Sequence, residues 1–187
     1  METKTVYFDK LGRENTKETL KIARKRAEEL GIRTIVVAST VGETAVKAME
    51  AFQGLKVIVV THVTGLRQPN AQEFTEENRK AVEAAGGIIL TTAHALGGLS
   101  RAMRSKYDTF VLGEVIADVL RTFGQGTKVV FEIAAMAADA GLVRTDEDII
   151  AVAGSGHGAD TAVVMRPANT HTFFDIRIKE IMCKPRL

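Results

Sequence analysis

The sequence contains few of the residues that stabilise small secreted domains. Its 187 residues include one cysteine, Cys183, and three prolines. A single cysteine can form neither an internal disulfide nor an all-cysteine zinc site, which favours an ordinary structural thiol. No apolar run approaches the roughly 18 residues that span a bilayer, and the first fifteen residues are charged where a signal peptide needs an apolar core. These absences predict a cytoplasmic protein with no membrane partner.

An excess of charge of one sign is also missing. The chain has 25 basic and 23 acidic residues, a formal net charge of +2, so no general electrostatic attraction to nucleic acid is expected. The few prolines and the absence of low-complexity segments leave no candidate linker. Hydrophobic residues make up 45% of the chain, enough for a packed core. We therefore predict a single domain over residues 1–187.

Five short apolar runs rich in β-branched residues predict buried strands. Amphipathic helical patterns, most of them closed by glycine, separate the first four runs. A tail segment, residues 171–180, alternates apolar and charged residues and predicts a half-exposed strand at a sheet edge. This order of elements predicts a three-layer α/β/α fold with a mixed, mostly parallel sheet and an antiparallel C-terminal part. The five runs are residues 33–38, 56–61, 88–91, 148–153 and 161–165.

The segment after the first strand is the best candidate for an anion site. Ligands of open parallel sheets bind beyond the carboxyl ends of the strands, and a helix N-terminus offers free N–H groups and a positive dipole end. The alternative is that these hydroxyl residues only cap the helix. The segment consists of Ser39, Thr40, Val41, Gly42, Glu43 and Thr44.

The loops after the second and fourth strands supply further candidate binding residues. The glycine-rich loop precedes a strand and not a helix, so it is not a dinucleotide fingerprint, and it is either a simple turn or a close approach to a ligand. Histidines follow three strands, but without metal-ligand spacing, so no metal is expected. No nucleophile elbow or P-loop occurs, and no catalytic residue is assigned. The candidates are Thr61, His62, Thr64 and Gly65, and then Gly154, Ser155, Gly156, His157 and Asp160.

A basic cluster on the segment after the third strand is the remaining feature of note. It contains Arg101, Arg104 and Lys106, and such a cluster is commonly a solvated face of the protein. Arg101 or Arg104 is also an alternative contact for a phosphate group.

Two segments resemble a known family. TIVVASTVGETAVKAMEAF resembles the phosphate loop of the pyruvate kinase C-terminal α/β domain, with Ser39, Gly42 and Thr44 at the motif positions. ENTKETLKIARKRAEELGIRTIVVASTVGETA and GSGHGADTAVVMRPANTHTFFD resemble the archaeal stand-alone proteins that are similar to this domain. The resemblance implies strand order 3-2-1-4-5 for the five predicted strands, which brings the loops at 39–44 and 154–160 together.

The same resemblance implies FMN as the cofactor and no pyruvate kinase activity, because that active site lies in another domain. Two residues depart from the pyruvate kinase pattern: Val41 replaces a hydroxyl residue, and Glu43 stands where a basic residue can occur. A carboxylate repels phosphate unless it turns away or accepts hydrogen bonds from ligand hydroxyls. A ligand with one phosphate and a polyol is therefore favoured over a sugar bisphosphate.

The leading hypothesis is a small-molecule-binding protein that holds FMN. Ser39, Thr40, Gly42 and Thr44 would hold the phosphate and Glu43 the ribityl hydroxyls, while other side chains would line the ring or sugar. One alternative is a regulatory module that senses a phosphorylated metabolite, and a further alternative is a flavin-dependent oxidoreductase. A homo-oligomer is left open beside a monomer. The ring-lining or sugar-lining residues would be His62, Thr64, His157 and Asp160.

Overall fold

The computed structural model describes residues 2–186. It contains a seven-stranded sheet with helices on both faces. The fold also contains two short 3-10 helices, Arg13–Asn15 and Thr170–Asp175. The strands are β1 (Val6–Phe8), β2 (Thr34–Ala38), β3 (Lys56–Val60), β4 (Ile88–Leu90), β5 (Ile149–Ala153), β6 (Thr161–Arg166) and β7 (Arg177–Pro185). The helices are α1 (Thr16–Leu30), α2 (Glu43–Ala51), α3 (Glu76–Ala84), α4 (Gly98–Tyr107), α5 (Leu112–Arg121) and α6 (Gln125–Asp139).

The strand order in the sheet is β1-β7-β6-β5-β2-β3-β4. Strands β5, β2, β3 and β4 are parallel, whereas β6 is antiparallel to both β5 and β7. The five strands predicted from the sequence are β2 to β6, and their predicted order and antiparallel C-terminal part are confirmed. The strand order reverses between β2 and β5, so the loops that follow these two strands lie side by side.

Alternate residues of the central strands face two separate cores. On β2, Ile35 and Val37 pack in the core beneath α1 and α2, whereas Val36 packs in the core beneath α6. Eleven of the fifteen residues of α6 are buried, in keeping with its alanine-rich apolar sequence. The two cores confirm the three-layer arrangement.

Three features differ from the sequence-based expectations. Strand β1 was not predicted, and it pairs in parallel with β7, where Val6 lies opposite Cys183. Helix α4 was not predicted either. The tail prediction is partly wrong, because residues 170–175 form a 3-10 helix and β7 begins at Arg177 and lies inside the sheet, covered by β1. Within residues 2–186, no helix is both long enough and apolar enough to cross a membrane.

Candidate functional site

A cleft of about 360 Å³ lies beyond the carboxyl ends of the parallel strands, at the point where the strand order reverses. It is lined by the segments that follow β2, β3, β4 and β5, together with one side of α6. Ten of the predicted site residues meet here. They are Ser39, Thr40, Val41, Glu43, Thr44, Thr61, His62, Gly154, Gly156 and His157.

The segment after β2 offers unused hydrogen-bond donors to the cleft. Ser39 supplies one capping contact to α2 in place of the N-cap residue Gly42, because its Oγ accepts the N–H of Ala45 at 3.3 Å. In the described part of the chain, no protein acceptor takes the backbone N–H groups of residues 40–44. Capping therefore occurs but uses none of these donors, and the positive end of the α2 dipole points to the same place. This end of the cleft suits an anion.

Gly42 shapes this segment without lining the cleft. It has φ +107°, and a Cβ atom placed on it would lie 2.3 Å from the Cβ of Asn78 on α3. The Asn78 side-chain amide also donates to the Val41 carbonyl at 2.9 Å. Helix α3 therefore supports the segment from behind, a role of Asn78 that sequence reasoning missed.

A hydrogen-bonded relay orients the His62 ring at the edge of the cleft. His62 Nδ1 lies 2.8 Å from Glu73 Oε2, and His62 Nε2 lies 3.3 Å from Thr40 Oγ1. The other Glu73 oxygen lies 3.1 Å from Arg67 Nε. An imidazole fixed in this way can offer its Nε2 to a bound ligand in place of the 3.3 Å contact with Thr40. Glu73 was not predicted, because it lies in the long connection before α3.

His94 lies beside His62, with 5.4 Å between the ring centroids. Its Nε2 accepts the backbone N–H of Val63 at 3.3 Å, which leaves the proton on Nδ1 in the neutral form. The pKa of His94 is lowered to about 4, mainly by burial and to a lesser extent by the nearby charges of His62, Arg101 and Lys128, against the opposing effect of Glu132. His94 is therefore a neutral polar group at pH 7.

A buried ion pair between Lys128 and Glu132 of α6 forms part of the cleft lining. Glu132 Oε1 also accepts the N–H groups of Leu96 and Gly97 at 3.1 and 3.2 Å. Burial raises the pKa of the Glu132 carboxyl, but the charge and hydrogen bond of Lys128 and the Leu96 N–H outweigh burial, so the net pKa lies below its usual value.

Sequence reasoning predicted this helix but not its charged pair. Two opposite charges four residues apart in an otherwise apolar helix were the available signal. From the same side of the cleft, Arg101, Arg121 and Gln125 complete the polar lining.

The glycine-rich loop after β5 forms the wall beside the segment after β2. Gly154, Gly156 and His157 line the cleft, whereas Ser155 and Asp160 do not. Asp160 is fully buried, and its carboxylate accepts hydrogen bonds from the Gly12 N–H at 2.8 Å and the Ser155 N–H at 3.1 Å. Its second oxygen accepts the Thr161 hydroxyl at 2.8 Å. Asp160 thus holds the loop in shape, because protein donors occupy both of its oxygens.

The predicted residues after β3 divide between the cleft and a neighbouring turn. Thr61 lines the cleft, and its hydroxyl lies 2.7 Å from that of Thr91. Thr64 and Gly65 lie in the exposed turn beyond it, where Thr64 Oγ1 lies 3.3 Å from Gln72 Nε2. No group of three or more metal-ligating side chains occurs in residues 2–186.

Glu43 lies at the mouth of the cleft and forms an ion pair with Arg13. Arg13 belongs to the 3-10 helix before α1, and its Cα packs against Gly158 of the glycine-rich loop. The Arg13 charge offsets that of Glu43 next to the donors of residues 40–44, so the predicted repulsion of a phosphate is reduced.

The chain is similar to one domain of larger proteins. The family model described as "Pyruvate kinase, alpha/beta domain" matches residues 17–165. A solved pyruvate kinase from Cryptosporidium parvum is 13% identical, with 82% of this chain and 22% of that chain covered and a TM-score of 0.41. The same organism's pyruvate kinase in complex with ADP is 12% identical, with 89% and 23% covered and a TM-score of 0.39. The chain spans less than a quarter of the length of these proteins.

Proposed function

The chain belongs to the pyruvate kinase alpha/beta domain family, and from this membership we propose that it binds a small phosphorylated ligand, with FMN as the specific candidate. The observation that carries the proposal is the set of unused N–H donors at residues 40–44. They lie at the N-terminus of α2, where donors and dipole together favour an anion. Every helix leaves free N–H groups in its first turn, but here they belong to a segment that lines a cleft.

The residues of the cleft fit the three parts of FMN. Thr40, Val41 and Thr44 would hold the phosphate through N–H groups and hydroxyls, and His62 would contact the ribityl chain. Apolar side chains on α6, Val129, Ile133 and Met136, offer a surface for the ring. The volume of about 360 Å³ falls within the range of about 300 to 1,000 Å³ typical of small-molecule sites. When bound, FMN supplies one- and two-electron redox chemistry.

The proposal has three finer parts. We expect no pyruvate kinase activity, because the resemblance implies that this active site lies in another domain. We assign the chain to the archaeal stand-alone members that its sequence resembles. We also assign it to the cytoplasm, which suits its single buried thiol, Cys183.

A second candidate function is sensing of a metabolite that carries two anionic groups. The observation that favours it is the presence of two further arginines in the cleft lining, Arg101 and Arg121, in addition to the donors of residues 40–44. Arg101 pairs with no carboxylate in residues 2–186 and lies close enough to His94 to affect its pKa. Such a ligand would bridge the two ends of the cleft, and its binding would act as a signal.

Titration calorimetry with FMN, riboflavin and fructose bisphosphate tests both candidates. For the leading proposal we expect FMN to bind at least tenfold more tightly than riboflavin. Thr44→Val keeps the shape of the side chain and removes the hydroxyl, so FMN affinity should fall about tenfold to a hundredfold, as for one charge-assisted hydrogen bond. Riboflavin affinity should not change.

Thr172→Val is the matched control, because Thr172 is exposed and lies outside the cleft. It should leave FMN affinity as in the wild type. Absence of FMN uptake by the wild type would contradict the leading proposal. Tight binding of the bisphosphate without FMN binding would instead support the sensor.

A further inference from the structure

Exposed apolar side chains are concentrated on one part of the surface. Of the twelve large hydrophobic residues that are exposed in residues 2–186, eight lie between residues 99 and 123. We call residues 98–123, which contain α4 and α5, the helical arm. A typical monomer scatters such residues singly, whereas a contiguous patch marks an interaction site.

The exposed residues follow helical spacing and form one face on each helix. On α4 they are Leu99, Met103 and Tyr107, and on α5 they are Leu112, Val115 and Val119. A helix with an apolar stripe normally buries that stripe against another element. Here α4 has no buried residue at all, and Ala117 is the only buried residue of α5. The rest of residues 2–186 does not cover this surface.

Specific contacts fix the arm to the domain. Glu132 accepts the N–H groups of Leu96 and Gly97 immediately before α4. At the start of α5, Gly113 packs so closely that a Cβ atom would lie 2.6 Å from the Leu96 carbonyl oxygen. Arg104 and Glu114 join the two helices with a 3.4 Å ion pair. These contacts therefore hold the apolar face in a defined orientation in the absence of a partner.

The size of the face matches one side of a stable dimer. The eight side chains are 43% to 85% exposed. At roughly 150 Å² for each fully exposed side chain, the lower end of the range for aromatic residues, this is an area on the order of 700 Å². A standard interface buries about 800 Å² on each partner. The largest patch on a typical monomer is about 300 to 600 Å².

We propose that a second copy of this chain covers the helical arm in a two-fold dimer. The arm carries four basic and three acidic residues around its apolar face. Arg104 pairs with Glu114 and Arg121 with Asp118 within one copy, so the rim is close to neutral and a second copy meets no strong like-charge repulsion. A two-fold interface requires this kind of self-complementary surface. An anionic membrane or nucleic acid would instead favour a mainly basic rim.

Sedimentation equilibrium of the full chain tests this dimer, which does not depend on the proposed ligand. We expect dimers in the wild type and a dimer dissociation constant raised on the order of a thousandfold in Phe110→Glu and in Val119→Glu. Each substitution occurs twice in a two-fold dimer, and a hot-spot loss is at least about thirtyfold for each copy. Phe174→Glu is the matched control, since Phe174 is 75% exposed and Phe110 is 77% exposed.

Circular dichroism shows whether each variant is folded. If Val119→Glu does not fold, Phe110→Glu still decides the question, because it changes a connecting residue between the two helices. A wild type that stays monomeric at all concentrations overturns the proposal. Dimers that persist in folded Phe110→Glu also overturn it. A monomeric wild type that binds anionic vesicles through the arm would identify a membrane as the occupant instead.

Discussion

Lys128 and Glu132 form a buried ion pair one turn apart on α6, and Glu132 simultaneously accepts the backbone N–H groups of Leu96 and Gly97. One carboxylate thus lines the candidate ligand cleft and anchors the start of the helical arm. An isolated buried charge is strongly unfavourable, whereas a paired and hydrogen-bonded charge is tolerated. The ion pair therefore stabilises the lining of the cleft and also fixes the orientation of the helical arm.

Removing the lysine of this pair should destabilise the protein strongly. Lys128→Met leaves the Glu132 carboxylate buried without its cation, a change that typically costs about 3 to 5 kcal/mol. Urea denaturation monitored by circular dichroism measures the free energy of unfolding. The double variant Lys128→Met/Glu132→Gln should recover much of the loss, because the glutamine oxygen can still accept the Leu96 and Gly97 N–H groups.

Lys10→Met is the control for this measurement. Lys10 pairs with Glu14 at the same four-residue spacing, but the two side chains are 73% and 56% exposed. Exposed pairs contribute little to stability, so this variant should unfold near the wild-type midpoint. Equal losses in Lys10→Met and Lys128→Met would contradict the assigned role of the buried pair.

His94 should make the protein less stable in mild acid. Its folded-state pKa is about 4, against an ordinary value of 6.5. As pH falls from 6.5 to 4, the unfolded chain gains a proton at this site and the folded chain does not. The free energy of unfolding therefore decreases over this window as pH falls. Denaturation at several pH values across the window measures the slope.

His94→Gln should reduce this slope, because glutamine does not titrate and can still accept the Val63 N–H. His171→Gln changes an exposed histidine and is the control, with the wild-type slope expected. The lowered pKa values of Glu132, Asp139 and Asp148 act with the same sign around and below the ordinary values of 4.5 and 3.8, so the slope due to His94 is compared in the upper part of the window, above about pH 5. A slope that His94→Gln leaves unchanged would assign the acid sensitivity to other groups.

The sequence was sufficient to predict the central sheet, because each of its strands is a continuous β-branched run with its own signal. Strand β1 has no such signal, since it is three residues long and its pairing comes from β7, 177 positions away at Val6 and Cys183. Helix α4 was missed because its apolar residues remain exposed and its basic residues were interpreted as a solvated surface. Both failures concern segments whose structure depends on distant partners.

The residues of the candidate site could be predicted where their position at the end of a strand is enough to place them in the cleft. Residues 39–44 and the glycine-rich loop follow neighbouring strands, and the strand order that the family resemblance implied was enough to bring them together. The roles of Glu73 and Asn78 depend on where a long connection and α3 pack, which no local pattern encodes. Asp160 was placed in the right loop, but its hydrogen bonds to Gly12 and Ser155 depend on the unpredicted N-terminal segment.

Cys183 should be inert until the protein unfolds. The thiol is fully buried in β7, and burial raises its pKa to about 12, so the reactive thiolate is scarce at neutral pH. Ellman's reagent should react slowly with the native protein and at once in denaturant. Ser105→Cys adds an exposed thiol as the positive control. Rapid modification of native wild type would mean that the β1 and β7 edge opens readily.

Gly42→Ala should destabilise the protein more than the same change at another glycine with positive φ. A left-handed backbone costs alanine roughly 1 to 2 kcal/mol wherever it occurs. Gly54 has φ +80° and no atom lies within 4 Å of the point where an alanine Cβ would sit, whereas at Gly42 the new Cβ would lie 2.3 Å from the Asn78 Cβ. The Asn78 Cβ is tied to the α3 backbone, so α3 or the segment at 39–44 must move.

Gly54→Ala is thus the matched control, because its loss of unfolding free energy should be limited to the cost of a left-handed backbone at alanine. For Gly42→Ala we expect a larger loss of unfolding free energy in urea titrations and weaker FMN binding by calorimetry, because the donors at residues 40–44 shift with the segment. The two measurements separate the effects: weaker FMN binding in a folded protein supports the anion site. Equal stability of Gly42→Ala and Gly54→Ala would show that α3 does not support this segment as the packing against Asn78 requires.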